Sequence, residues 1–362
     1  MDGVRQKKIG LVLSGGGSRS AYQVGAIRAL SEYFTAKDLK ISVIVGCSIG
    51  AMNSIVLGGC LNRGFINAVT TLETIWKERN YRNTFGGSPT KAFLNAIQVA
   101  IFRYSSPGPI ATSLSIFDPS PLQKRVDQIL DENLSPTGYL GEQLDSVAVM
   151  ATIEGKERKP LLFVCSKKTK EEINLTKANF VITHLDRLTA VHGLASAALP
   201  SVLPPIYLNV DSGQVRLVDG GISDNIPVDP ALRLGAETII TVDTSGRRWW
   251  HDRYHRPYYT REQWEIMADE KTVCLYPEKS VDIINKSGFG EVLKKAAGNS
   301  TKDFITALGV TWPIFRILKH KMGEELAYEV MSYVALHPGY TEALIELGYK
   351  ETKEKIDKGL DL

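Results

Sequence analysis

The sequence predicts an α/β fold, a three-layer sandwich in which helices flank a mostly parallel central sheet. Short apolar runs alternate with helix-compatible segments along the chain, starting at Ile9–Leu13 and continuing to Thr238–Asp243. The chain has 362 residues, of which 43% are hydrophobic, and this is enough to bury a large core. Strands that alternate with helices in this way pair in parallel through crossover connections.

Charge and cysteine content give no indication of a nucleic-acid partner or a metal site. The net charge is +3, from 43 basic and 40 acidic groups, which is too small to favour nucleic-acid binding. The four cysteines, Cys47, Cys60, Cys165 and Cys274, are far apart and lack paired metal-ligand spacing. We therefore expect buried, reduced thiols, no bound metal and no nucleic-acid partner.

A glycine-rich loop, Ser14–Ser20, follows the first strand and leads into a segment with helical spacing that runs to Ala36. Consecutive glycines at such a turn let backbone amides converge on one anion, either a phosphate or an oxyanion. The dinucleotide fingerprint fits less well, because Ser20 takes its third glycine position and the next strand ends in Gly46 instead of an acid. An oxyanion site is the better interpretation, and no cofactor is expected.

The second strand, Ile41–Val45, runs into Gly46-Cys47-Ser48-Ile49-Gly50, the pattern of a nucleophile elbow between strand and helix. The two glycines let strand and helix pass closely, so that Ser48 projects from a strained turn. Cys47 should point into the core. The uncharged stretch from Lys40 to Arg63 is about long enough to span a bilayer, but its glycines and polar residues favour a buried strand and helix.

The middle of the chain continues the alternation. Helical patterns cover Phe65–Trp76 and Pro119–Leu130, and strand patterns cover Ser146–Ile153 and Pro160–Cys165. Between them, Lys91–Arg103 is nearly all apolar and is flanked by glycines and prolines. A buried helix is the favoured interpretation, and a mobile lid over an acyl pocket or a membrane-contacting helix is the alternative.

A second chemical signal follows the strand Gln214–Val218, where Asp219 precedes two glycines. Active sites in parallel sheets lie at the carboxyl ends of strands, so we expect the glycine loop, Ser48 and Asp219 to converge. Asp224 and Asp243 are rival acids. We expect the first to brace the turn and the second to end a strand.

A serine hydroxyl needs a base to accept its proton, and either a histidine or Asp219 could serve. His251, His255, His320 and His337 follow Asp219 in the chain, as a histidine triad would require, but none has a strand-end context. His184 and His192 are most simply structural. A dyad of Ser48 and Asp219 needs fewer assumptions, and a histidine-triad esterase remains the alternative.

The later part of the chain predicts a different organisation. Residues 247–259 interleave arginine with aromatic residues, a mixture suited to anionic lipid head groups or to packing as an irregular loop. From Thr311 onward the pattern is helical. We therefore predict a core over residues 8–280 and a mostly helical extension over 281–362 that packs on it. A membrane-binding or regulatory protein with little turnover is a further alternative.

Three motifs in order resemble those of the patatin-like phospholipase family. They are Gly15-Gly16-Gly17-Ser18-Arg19, the Gly46-x-Ser48-x-Gly50 elbow, and Asp219-Gly220-Gly221. Ser20 departs from the pattern, because the family usually carries glycine after the basic residue. The resemblance extends over about residues 9–243.

The resemblance implies a serine hydrolase of phospholipase A or lysophospholipase type that needs no cofactor. It makes Ser48 the nucleophile and Asp219 its base, and it assigns the oxyanion to amides around Gly16, Gly17 and Ser18. Arg19 would brace the loop or contact an anionic substrate. Acyl-ester lipids, phospholipids among them, are the implied substrates. Because residues 1–8 do not form a secretory signal, we expect a cytoplasmic protein with peripheral membrane contact.

Overall fold

A computed structural model describes residues 7–105, 114–135, 138–142, 144–155, 157–173, 178, 180–245, 279–285, 288–298, 311–360 and 362. The arginine and aromatic run at 247–259, with His251 and His255, lies outside the described residues, as does Cys274.

A mostly parallel sheet forms the centre of the described part of the chain. Its strands are β1 (Ile9–Leu13), β2 (Ile41–Cys47), β3 (Ser146–Ile153), β4 (Lys159–Ser166), β5 (Val181–His184), β6 (Ile206–Val210), β7 (Gly213–Val218), β8 (Thr238–Asp243) and β9 (Lys279–Ile284). The main order is β5-β4-β3-β2-β1-β8-β9. β4 is antiparallel to β3, and the β6–β7 hairpin joins the end of β3 through antiparallel β7, while the remaining pairs are parallel.

Helices cover both faces of this sheet. They are α1 (Ala21–Ala36), α2 (Ile49–Cys60), α3 (Phe65–Glu78), α4 (Tyr81–Thr84), α5 (Pro89–Ser105), α6 (Ser120–Asn133), α7 (Lys170–Ile173), α8 (Ala190–Ala197), α9 (Val228–Arg233), α10 (Phe289–Ala297), α11 (Trp312–Met322), α12 (Glu324–Met331) and α13 (Pro338–Asp357). The prediction of a three-layer α/β sandwich is confirmed.

Alternation along the strands produces the three layers. In β1, Leu11 and Leu13 belong to the larger core, with α1, α2 and α3, whereas Val12 belongs to a smaller core that includes α9. In β3, Val149 faces the first core and Met150 the second. Because neighbouring side chains of a strand point to opposite faces, apolar runs of this kind are buried on both sides.

The helix α5 differs from its prediction. The favoured interpretation of its apolar sequence was a buried helix, but Phe93 is 39% exposed, Leu94 54% and Ile97 40%. Ala96, in contrast, is buried. Hydrophobicity alone does not reveal which side of an isolated helix meets the core, so the buried interpretation was wrong for this face.

Elements beyond residue 278 contribute to the same body. β9 extends the sheet in parallel with β8, and the predicted domain division at residue 280 falls inside this strand. α13 buries Tyr340, Leu344 and Ile345 in the larger core, and Tyr22 of α1 donates a hydrogen bond to Glu351 of α13 at 2.6 Å. The division into a core and an extension stays a prediction.

In the part of the chain that the structure describes, no helix combines the length and the apolar content needed to cross a membrane. The uncharged stretch between Lys40 and Arg63 instead forms β2 and the buried helix α2, as predicted.

Candidate functional site

The polar motifs meet at one edge of the sheet. β1, β2 and β8 run in parallel, so the glycine loop and Ser48 follow strands that end at this edge, and Asp243 is the last residue of the third. Asp219 lies at the same edge, although β7, the strand that it follows, runs antiparallel to the end of β3. The expected convergence is present, although Asp219 does not follow a parallel strand.

Ser48 occupies a strained turn between β2 and α2. Its φ of 52° and ψ of −127° lie where residues with a Cβ are rarely found. A Cβ added at Gly50 would lie 2.5 Å from the carbonyl oxygens of Leu13 and Ser14, so a side chain there would drive α2 away from β1. The Ser48 amide donates to Ser196 Oγ at 2.7 Å, and Ser196 Oγ donates to the Met150 carbonyl at 2.5 Å. These two hydrogen bonds hold the turn against β3.

Asp219 is the hydrogen-bond acceptor for Ser48. Ser48 Oγ donates to Asp219 Oδ2 at 2.6 Å, and the Gly221 amide donates to Asp219 Oδ1 at 2.8 Å. The Asp219 amide donates to the Ala198 carbonyl at 3.0 Å, which fixes the backbone as well. Asp219 is almost fully buried, and this burial raises the pKa of its carboxyl to about 6 despite the two hydrogen bonds that lower it. It is a stronger base than an exposed aspartate.

The glycine loop lies beside Ser48. The Gly15 amide donates to the Asn225 carbonyl at 3.3 Å, and the Ser18 amide donates to the Tyr333 carbonyl at 2.8 Å. Gly17 has a φ of +58°, and a Cβ there would lie 2.2 Å from the Tyr333 oxygen. No acceptor among the described residues takes the amides of Gly16 or Gly17. Of the three amides predicted to hold an oxyanion, that of Ser18 is therefore already engaged.

Arg19 braces this loop from behind. The side chain is fully buried, Nη2 lies 2.8 Å from Glu329 Oε1, and Nε donates to Ser332 Oγ at 2.7 Å. Its guanidinium also lies 3.6 Å from the centre of the Tyr333 ring. Arg19 does not line the cavity beside Ser48. Of the two roles left open for Arg19, the structure supports bracing.

A cavity of about 690 Å³ opens beside the Ser48–Asp219 pair. Gly16, Gly17 and Ile49 line it near Ser48. The remaining wall is largely apolar and comprises, among others, Phe85, Ile116, Phe117, Leu122, Leu199, Val202, Leu203, Ile314, Leu318 and Leu336. This volume and lining are typical of a site for a hydrophobic ligand with few polar anchors.

The rival groups have other roles. Asp224 accepts a hydrogen bond from the Ile226 amide at 3.2 Å and braces the turn, and Asp243 ends β8. His192 forms the N-terminal cap of α8 with Thr189, and burial lowers its pKa to about 4. No described histidine lines the cavity. Cys47, Cys60 and Cys165 are free and buried, as predicted.

No group of three or more His, Cys, Asp or Glu side chains within the described ranges could hold a metal ion. At the cavity, the Ser48 hydroxyl and the Asp219 carboxylate lie beside the amides of Gly16 and Gly17, which have no acceptor among the described residues.

Several residues that position the site were missed by sequence reasoning. Ser196 pins the elbow, Asn225 links the Asp219 turn to the glycine loop through its contacts with Gly15, and Glu329 and Tyr333 hold the loop. Ser196 lies in the stretch Ala195–Pro200 and Asn225 in Asp224–Pro227. Both stretches resemble sequences of the patatin-like phospholipase family, so these two residues carried a usable signal.

Comparisons with known proteins show which family this sequence is similar to. The model of the patatin-like phospholipase family matches residues 11–232. A curated relative, lysophospholipase NTE1 of Mycosarcoma maydis, is 26% identical over 237 residues, which is 65% of this chain and 10% of the relative. The chain thus spans about a tenth of that relative's length.

Similar solved structures include VipD from Legionella pneumophila, with a TM-score of 0.38 and 15% identity over 97% of this chain and 67% of VipD. Another is human GIVD cytosolic phospholipase A2 in complex with a fluorophosphonate inhibitor, with a TM-score of 0.45 and 12% identity over 97% of this chain and 58% of that protein. Since the family model matches more than half of the sequence, the chain belongs to the patatin-like phospholipase family.

Proposed function

We propose that this chain is a serine lipid acyl hydrolase of phospholipase A or lysophospholipase type. The observation that carries the proposal is the 2.6 Å hydrogen bond from Ser48 Oγ to Asp219 Oδ2 at the wall of a largely apolar cavity. Family membership and the name of the lysophospholipase relative support an ester of a lipid as substrate.

The acylation step follows from the contacts of Ser48. Its Oγ attacks the carbonyl carbon of the ester while its proton passes to Asp219 Oδ2. The carbonyl oxygen gains negative charge, and the amides of Gly16 and Gly17 are placed to donate to it. Collapse of this intermediate breaks the bond to the alcohol, which leaves with the proton and yields an acyl ester on Ser48.

Deacylation repeats the sequence with water. Asp219 accepts a proton from water while the oxygen of that water attacks the carbonyl carbon of the acyl ester. Collapse of the resulting tetrahedral intermediate returns the proton to Ser48 Oγ and releases a fatty acid. Two features compensate for the weakness of a carboxylate base. Burial raises the pKa of Asp219 to about 6, and both groups are held in position before substrate arrives.

Covalent labelling tests the proposal. A fluorophosphonate probe should modify Ser48 in the folded protein, and peptide mapping should locate the adduct there. Ser48→Ala should abolish both labelling and hydrolysis of phospholipid and lysophospholipid. Ser54→Ala, which changes a buried serine in α2, the helix that follows Ser48, should keep them. A folded protein that hydrolyses lipid esters without an adduct on Ser48 would contradict the dyad.

Peripheral membrane contact is the second part of the proposal, and α5 supports it. The exposed Phe93, Leu94 and Ile97 share one side of the helix, and Asn95 on the other side donates to the carbonyl of Ile116, which lines the cavity. An apolar face beside the cavity would place its opening at a lipid surface.

Co-sedimentation with phosphatidylcholine vesicles tests this contact. Leu94→Ser with Ile97→Ser should reduce the bound fraction about tenfold or more, because each change removes apolar area from the lipid contact. Ile66→Ser removes an equally exposed isoleucine from α3 and should leave binding unchanged. Equal binding by all three proteins would remove the support that α5 provides.

A further inference from the structure

The cavity beside Ser48 contains a cation that the proposed mechanism does not use. Its charged lining residues are Asp219, Arg158 and Arg79. Asp219 is engaged with Ser48, and Arg158 is exposed in the turn between β3 and β4. Arg79 follows α3 directly and shares the apolar wall with Phe85 and Phe117.

Arg79 is half-buried and, among the described residues, lacks the ion-pair partners that the buried Arg19 and Arg233 have. Arg19 pairs with Glu329 at 2.8 Å, and Arg233 pairs with Asp229 at 2.8 Å. Arg79 Nε is shielded from water, yet no described residue accepts a hydrogen bond from it or forms an ion pair with the side chain. Burial lowers the pKa of Arg79 to about 10, which leaves it a cation at neutral pH. The partly desolvated guanidinium leaves its Nε donor without an acceptor among the described residues, and an anionic ligand in the cavity would supply one.

The guanidinium is held at a defined position. Its Cζ lies 4.2 Å from the centre of the Trp76 ring, and Trp76 Nε1 donates to Asn53 Oδ1 at 2.8 Å. Asn53 belongs to α2, the helix that begins after Ser48. The cation is therefore linked through the side chains of Trp76 and Asn53 to the helix that begins directly after the nucleophile. A guanidinium resting on a ring keeps planar N–H donors for an oxyanion.

We propose that Arg79 is the residue in this cavity that binds the negatively charged group of a lipid ligand, a phosphate ester or a carboxylate. Both are oxyanions that an arginine can bind through paired hydrogen bonds. The first would come from a phospholipid, and the second from a released fatty acid. The inference rests on the proposed function for the lipid nature of the ligand. Arg19 is not available for this role, because Glu329 and Ser332 engage it.

Binding of three amphiphiles with the same alkyl chain tests the inference without turnover. Hexadecylphosphocholine carries a phosphate, palmitate a carboxylate, and 1-O-hexadecylglycerol no charge. Their affinities are measured by calorimetry, below the micellar concentration, for wild type, Arg79→Met, Arg79→Lys and Arg82→Met. Arg82 lies three residues further on and does not line the cavity, so its replacement controls for the loss of one arginine.

Arg79→Met should weaken the binding of at least one of the two ligands that carry an oxyanion by about 10- to 100-fold, and should change the binding of 1-O-hexadecylglycerol less than twofold. The ligand that loses affinity identifies the source of the anion. The affinity of Arg79→Lys, which keeps the charge, should lie between those of wild type and Arg79→Met. The affinity of Arg82→Met should equal that of wild type.

Equal losses for charged and neutral ligands, or unchanged affinities in both Arg79 variants, would overturn the inference. Absence of binding by wild type would overturn it as well. Because the readout is affinity, a failure of the Ser48 labelling experiment is distinguishable from a failure of Arg79 to discriminate charge.

Discussion

The two sides of the site are held in different ways. Ser48 and Asp219 are fixed by strands and short hydrogen bonds of the region between β2 and β7, with Ser196 tying the elbow to β3. The glycine loop is fixed instead by residues more than 300 positions away, Glu329 and Tyr333. The difference shows that one short motif can be held by other elements of the region between β2 and β7, and another by a segment more than 300 positions away that carries no motif.

The energetic character of the two sides also differs. The dyad side combines a strained turn with an acid whose burial raises its pKa to about 6. The loop side relies on a fully buried ion pair, with further contacts from aromatic rings to Arg19. Removing one partner of a buried pair is costly, because the other charge stays in a poorly solvating interior. Substitutions on the dyad side should therefore affect rate first, and those on the loop side should affect stability first.

Asp219→Asn should produce the largest effect, and it should be on rate. The amide has no basic oxygen for the Ser48 proton, so kcat/KM should fall by about 10²- to 10⁴-fold. Steady-state hydrolysis of a lysophospholipid, with circular dichroism melting in parallel, checks both expectations. Asp224→Asn, in the same turn, is the matched control and should keep most activity. A large loss of melting temperature in Asp219→Asn would contradict the expectation that substitutions on the dyad side affect rate before stability.

Glu329→Ala should act mainly on stability. It leaves Arg19 buried without its counterion, and we expect a loss of about 3–5 kcal/mol in unfolding free energy. The control is Glu346→Ala, which breaks a more exposed ion pair with Arg28 and should cost about 1 kcal/mol or less. Urea unfolding of both variants provides the measurement. Similar losses in the two would mean that the glycine loop does not depend on its remote support.

The pH dependence of the dyad side follows from Asp219, whose pKa burial raises to about 6. Because the base must be ionised, kcat/KM should fall tenfold per pH unit below about 6. The raised pKa also means that the folded protein binds the proton more tightly. This group's contribution to stability is therefore present below about pH 4 and lost as pH rises through 6, by about 3 kcal/mol.

Asp219→Asn removes this dependence, so its unfolding free energy relative to wild type should increase between pH 4 and pH 7. Denaturant unfolding at several pH values measures the difference, with the exposed Asp131→Asn as the control for loss of one carboxylate. A relative stability of Asp219→Asn that stays flat, or falls with pH, would show that burial does not penalise the charged carboxylate.

The contrast between the two sides also explains what could be predicted from the sequence. The sandwich and the elbow follow from constraints between near neighbours, such as a strand ending in Gly46 and a turn that favours glycine. The approach of Asp219 to Ser48 was expected because both follow strands, but the antiparallel direction of β7 that brings Asp219 there was not. Two alternative roles for Arg19 stayed open, because its partner Glu329 lies on a helix whose position depends on tertiary packing. The same limit applies to α5, whose apolar sequence does not specify which face meets the core.

Ser332→Ala should give the smallest effect and is the finest test of the remote support. Ser332 Oγ accepts from Arg19 Nε at 2.7 Å, so its removal leaves one donor of a buried cation unsatisfied while the pair with Glu329 remains. We expect a loss of about 1–3 kcal/mol in unfolding free energy, less than for Glu329→Ala. Ser31→Ala, which removes another buried hydroxyl, is the control for loss of a serine. If Ser332→Ala lowers kcat/KM by a larger free-energy equivalent than it lowers the unfolding free energy, the contacts that brace Arg19 control the geometry of the Gly16 and Gly17 amides directly. A change confined to stability would instead assign the ion pair the role of holding the loop in place, with those amides positioned by the backbone contacts of Gly15 and Ser18.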